Sequence, residues 1–204
     1  DIYGAFIDGS TYQVQGNFKI SGAAGDERNE RFPEIVYNPV YDEFMVVWQR
    51  LDGLLSDDPA TLETASASHT IPADHAWRAV VGQRIAGDGS FIGDNFDIQT
   101  NAAYQTTYVS DIPKPTIACN TRIGTYVVVW SEQYSGSASR YSKYAMLVLD
   151  GASVQRGDVN AITTGSSEPR IIYNHASDEF LVSWHGGAPS QVYWARMTYA
   201  SPHW

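Results

Sequence analysis

The sequence predicts an all-β chain built from repeated four-stranded antiparallel units, and three observations support this. First, PEIVYNPVYDEFMVVW, ending at Trp48, returns as PTIACNTRIGTYVVVW, ending at Trp130, and as PRIIYNHASDEFLVSW, ending at Trp184. The copies run gaplessly from Pro33, Pro115 and Pro169 to their Trp, and self-similarity of this kind decides an architecture before any single residue does. Second, the last strand of each copy is apolar on both faces. In the first copy Phe44, Val46 and Trp48 lie on one face and Met45 and Val47 on the other. A strand with one wet face would alternate with polar residues, so these strands must be covered on both sides. Third, a further two-stranded unit recurs: VVGQRIAGDGSFIGDNFDIQ (residues 80–99) matches IYGAFIDGSTYQVQGNFKIS (2–21) and, more loosely, AMLVLDGASVQRGDVNAIT (145–163).

In chain order, residues 1–21 supply two strands joined through a glycine-containing turn. Repeat one spans 32–99 and carries an insert at 51–76; repeat two spans 114–163 and repeat three 168–200. Each repeat opens with a short apolar strand and a turn begun by Asn38, Asn120 or Asn174. Asn suits that place because its side chain bonds the local backbone and tolerates left-handed dihedrals. Strands are expected near 34–38, 43–49, 79–86, 95–99, 115–119, 125–131, 144–149, 170–173, 179–185 and 191–198, with no long helix outside the insert. Four-stranded units in tandem predict a β-propeller, treated as one domain over residues 1–204. The strand count leaves three forms open: a four-bladed ring closed by its ends, a fragment of a longer propeller, or a subunit completed by a neighbour's strands. The first is favoured by length. Unpaired edge strands recruit other strands, so residues 1–21 are expected to hydrogen-bond to the last module, within one chain or between copies.

The pattern P-x-I-x-Y-N, D-E-F-x-V-x-W, G-Q-R-I, D-G and G-x-x-F-x-I resembles the repeats of large secreted bacterial β-propeller proteins. The likeness covers nearly the whole chain and implies a fold rather than a reaction. The second copy departs from it, with Gly124-Thr125-Tyr126 where the others have Asp-Glu-Phe.

The chain has 204 residues, a net charge of -10 and an acidic pI of about 4.7, which disfavours nucleic acid and anionic membranes as partners. No apolar run is long enough to span a membrane as a helix. Cys119 stands alone, in the slot of Tyr37 and Tyr173, which indicates a packing role. The first residue is Asp1, consistent with a removed leader or with a piece of a longer polypeptide. Few lysines and many aromatics suit a secreted or cell-surface location.

Strand polarity puts the loops of variable length on one face of the propeller and the uniform Asn and Gly turns on the other, so ligand sites are expected on the variable face. The ligand-binding candidates there are Trp77, Tyr104, Tyr108, Tyr134 and Tyr141, as aromatic contact residues, with Glu132 and His185 just beyond strand ends. Trp48, Trp130 and Trp184 are expected to be buried packing residues. The insert holds Asp57, Asp58, Glu63, His69, Asp74 and His75, which could attract a hard cation such as Ca2+. They match no metal-binding spacing, so no metal site or cofactor is assigned.

The favoured function is binding or adhesion, through recognition of carbohydrate or protein by the variable face. A glycan-active hydrolase or lyase would instead use carboxylates such as Glu34, Glu132 and Glu168 around a central pocket. A third reading is a structural subunit that forms homo-oligomers through end-strand pairing.

Overall fold

The structure is a computed structural model that describes residues 1–22, 29–52, 77–100, 114–133, 140–186 and 191–198. It is all-β, with fourteen strands and no helix among the described residues. No helix there is long and apolar enough to cross a membrane. Strands β1 (Tyr3–Ile7) and β2 (Val14–Lys19) form a two-stranded first sheet. The second sheet has the order β3 (Asn29–Asn38), β4 (Glu43–Asp52), β5 (Trp77–Ala86), β6 (Phe91–Thr100). In the third, β7 (Thr116–Cys119), β8 (Tyr126–Gln133) and β9 (Arg140–Asp150) are followed by β10 (Ser153–Arg156) and β11 (Asn160–Thr164). Both of these pair with β9, so they act as one interrupted edge strand. The fourth sheet contains β12 (Ser166–Asn174), β13 (Glu179–Gly186) and β14 (Gln191–Thr198). Every pairing is antiparallel.

The sheets stack face to face in chain order, and the two-sided apolar strands are the reason. Phe44, Val46 and Trp48 of β4 pack with Ile2, Phe6, Phe18 and Ile20 of the first sheet. Met45 and Val47, one step out of phase, meet Tyr126, Val128 and Trp130 of β8. The alternation then repeats: Val127 and Val129 turn the other way, onto Phe180, Val182 and Trp184 of β13. Even-numbered residues of each central strand thus face the preceding sheet, and odd-numbered ones face the next.

The Asn turns form as their chemistry requires. The Oδ1 of Asn38, Asn120 and Asn174 accepts a bond from the backbone N–H two residues on, at 3.0, 2.9 and 3.0 Å. Further along each turn Asp42, Gly124 and Asp178 occupy one equivalent, left-handed position. There the Asp carboxylates accept a bond from Tyr37 (2.7 Å) and Tyr173 (2.6 Å). That bond lowers the Asp178 carboxyl below its ordinary range, while burial and the same bond push Tyr173 up to about 12. The second copy loses both partners together, with Cys119 for Tyr and Gly124 for Asp. Its glycine suits the left-handed backbone and leaves room for Tyr41, whose ring a Cβ at that position would strike. Cys119 is buried, and that burial pushes its thiol up to about 12, in keeping with a packing role.

One lock joins the second and third sheets. Glu43 and Arg84 are buried and paired at 2.6 Å; Tyr126 donates to Glu43 at 2.8 Å, and Arg84 donates to the Gly151 carbonyl at 2.7 Å. Burial raises the Tyr126 hydroxyl well above its ordinary range, so it acts as a neutral donor. At the next junction Thr125 and Phe180 take the places of Glu43 and Tyr126, and phenylalanine has no hydroxyl. Thr125 Oγ1 is accordingly buried without a hydrogen-bond partner.

Two expectations are corrected. The first sheet does not hydrogen-bond to β14 within the chain, and no closed ring forms among the described residues. Instead β1 and β2 pair with each other and lie on the second sheet, tied by Gly22 N–H to Asn95 Oδ1 at 2.7 Å. Apolar burial on β4 and β5 outweighs the edge hydrogen bonds that closure would have offered. The three Trp are also not equally covered. Trp48 and Trp130 are fully buried, but Trp184 is half-buried at the margin of its cluster, stacked on Tyr193 at 6.2 Å.

Two outcomes are expected in urea denaturation. Trp48→Ala should cost about 3–5 kcal/mol, as removal of a large core aromatic does, and Trp184→Ala clearly less. Equal losses would contradict the unequal burial. Thr125→Val removes an unpaired buried hydroxyl at constant shape and should raise stability by about 1 kcal/mol; a loss would mean that the hydroxyl is bonded.

Candidate functional site

Three first strands, β3, β7 and β12, come together where the stacked sheets converge. The repeat itself puts chemistry there. Pro33, Pro115 and Pro169 are preceded by Phe32, Lys114 and Glu168 and followed by Glu34, Thr116 and Arg170. In β3 one extra residue is inserted between the pairs Arg31–Gln49 and Glu34–Val47. The same bulge lies in β12 between Ser167–His185 and Arg170–Ser183. At each bulge the residue before proline is left-handed: Phe32 at φ 56° and Glu168 at φ 51°. Neither is Gly, Asn or Asp, and for a large ring such as Phe32 this backbone is strained. Bulges re-aim side chains next to functional positions, and strain of this kind collects at ligand sites.

The re-aimed residues interact across sheets. Lys114 pairs with Glu168 at 3.3 Å and lies 5.4 Å from the centre of the Phe32 ring, so one cation links β12 to β3. Arg170 pairs with Glu34 at 3.4 Å, joining the fourth sheet directly to the second. Glu168 N–H donates to Ser131 Oγ at 3.1 Å, which fixes the bulge against β8. All four charged side chains stay well exposed, so the pairs add little to stability. The result is a mouth with two acids, two bases and an aromatic ring, in which the four paired charges sum to zero.

The residues singled out from sequence meet this mouth unevenly. Trp77 lies at the start of β5, directly opposite Asp52, and Glu132 of β8 is directly opposite Tyr141 of β9. In both the second and third sheets the backbone register thus sets an acidic residue opposite an aromatic one. His185 is an exposed residue of β13 opposite Val192. Tyr104, Tyr108 and Tyr134, together with Asp57, Asp58, Glu63, His69, Asp74 and His75, lie outside the described residues. Of the three suggested carboxylates, Glu34 and Glu168 come into the one cross-sheet network. Among the described residues no group of three or more His, Cys, Asp or Glu is placed to hold a metal ion. Phe32, Lys114 and Arg170 escaped the sequence reading, although a signal existed: they flank the invariant proline of each copy and differ among the copies.

No family model matches the chain, and no curated protein matches it. Among solved structures 14 chains match. One is the Hadza microbial sialidase Hz136, with a TM-score of 0.48 and 8% identity over 81% of this chain and 35% of that one. This chain thus spans about a third of that structure's length.

The bulge at Phe32 yields a prediction. Glycine adopts its backbone without strain, so Phe32→Gly should change the free energy of unfolding by less than about 1 kcal/mol. A loss like that of a core aromatic would show the ring to be packing and not part of a mouth.

Proposed function

We propose that this chain is a secreted or cell-surface binding module, an open arc of a β-propeller that holds a neutral carbohydrate at the mouth between β3, β7 and β12. One observation carries the reading. On a chain of net charge -10, this mouth sets two carboxylates, two cations and a ring together with those four charges balanced. A balanced mouth neither draws nor repels a charged ligand. It offers fixed donors and acceptors to hydroxyl groups and an apolar face to a sugar ring. A basic surface for nucleic acid is not what this composition supplies.

The hydrolase reading is weaker on the same geometry. Glycoside hydrolysis needs two carboxyls facing one bond, one of them carrying a proton. Here Glu34 and Glu168 each face a cation of their own.

The test is a glycan array probed with the full chain, with titration of any hit by calorimetry. Neutral oligosaccharides should bind, and Arg170→Ala or Lys114→Ala should weaken binding about tenfold or more at unchanged melting temperature. Binding indifferent to both substitutions, or confined to a protein ligand, would sink the assignment. Release of reducing sugar would favour the hydrolase.

A further inference from the structure

The outer face of the fourth sheet carries an unfinished copy of the lock between the second and third sheets. Ile172 is 63% exposed, Leu181 39%, Val192 76% and Trp194 65%. By the alternation of the central strands this is the face that a following sheet covers. Glu179 occupies in β13 the place of Glu43 in β4, and Arg196 opposes Leu181 as Arg84 opposes Met45. Arg196 and Glu179 already pair at 3.6 Å, but Arg196 is 65% exposed. In the finished lock the following sheet supplies a tyrosine hydroxyl to the glutamate and a turn carbonyl to the arginine. The junction of the third and fourth sheets shows the converse: Thr125 and Met146 replace the charged pair, and Phe180 replaces the tyrosine. Charged pair and tyrosine are thus present together or absent together at these two junctions.

We infer that the face formed by Ile172, Leu181, Trp194, Glu179 and Arg196 docks a further four-stranded module of the same repeat, one whose second strand carries tyrosine where the third sheet has Tyr126. The inference is independent of the carbohydrate reading, since it concerns the opposite side of the sheet from the third-sheet contact. Burial of the four apolar residues supplies the attraction. The pair supplies the choice of partner, because a phenylalanine in place of that tyrosine would take from a buried carboxylate oxygen one of its two donors, leaving only the arginine Nε.

The chain can be made to test this itself. Thr198 stands in β14 where Ala86 stands in β5, so residues 87–164 placed after Thr198, in exchange for residues 199–204, continue the repeat in register. Hydroxyl-radical footprinting read by mass spectrometry reports on Trp194 and Leu181 individually. In the extended chain their labelling should fall several-fold relative to the natural chain, and Tyr126→Phe in the appended copy alone should restore much of it. Undiminished labelling overturns the proposal, whether the appended copy is folded or protease-sensitive, since the face would then have failed to order a matching module. Protection unaffected by Tyr126→Phe overturns the tyrosine rule. A natural chain that is already dimeric by light scattering, with Trp194 protected, assigns the face to a second copy and also overturns it.

Discussion

Burial of both faces of each central strand is the constraint on which the other features rest. A strand such as β4 cannot be satisfied by one neighbour, because Trp48 and Met45 point in opposite directions and both are fully buried. Stacking sheet upon sheet answers this, and the gapless sixteen-residue repeat keeps the phase from one sheet to the next. Once the phase is fixed, the first strands converge on one edge, the Asn turns line up on one side, and the variable loops leave from the other. The mouth and the open outer face are therefore both products of the same alternation.

Polar groups specify which sheet sits beside which. Apolar packing alone would accept several pairings, since Val, Ile and Phe recur at the same places in every copy. The buried Glu43–Arg84 pair is another matter: leaving either ion without its partner is strongly unfavourable, and Tyr126 and the Gly151 carbonyl complete it. The turns add a second register mark. Asn38 Nδ2 donates to the Gly124 carbonyl of the next turn, and Asn120 Nδ2 to Asp178 of the one after, each at 3.0 Å. Adjacent sheets are thus tied at one end by turn-to-turn bonds, while at the other Lys114 pairs with Glu168 between the third and fourth sheets and Arg170 with Glu34 between the fourth and second.

Strands, turns and the facing of the central residues were readable from sequence because the repeat samples each position three times. β3 and β12 extend beyond their expected starts because an edge strand can run through proline at a bulge, a tolerance that propensity does not reveal. Closure was misjudged for a different reason. Whether β1 and β2 add to the edge of the fourth sheet or to the face of the second depends on the balance of Ile2, Phe6, Phe18 and Ile20 against edge hydrogen bonds, and that is a tertiary quantity. The mouth was half-legible: Glu34 and Glu168 were noticed as carboxylates, but their cations Arg170 and Lys114 come from other repeats, and no spacing along the chain announces a contact between residues 34 and 170.

Apart from the ion pair of Glu34 with Arg170, each sheet meets chiefly the sheets next to it in the chain. Such a molecule behaves as a one-dimensional array, in which stability is a sum of units and of junctions between neighbours. Each unit can therefore add to the last as the polypeptide emerges during synthesis, without waiting for distant sequence. Unravelling runs the other way. The first and fourth sheets, each held at one face only and by a junction lacking the charged lock, are the units from which the array peels.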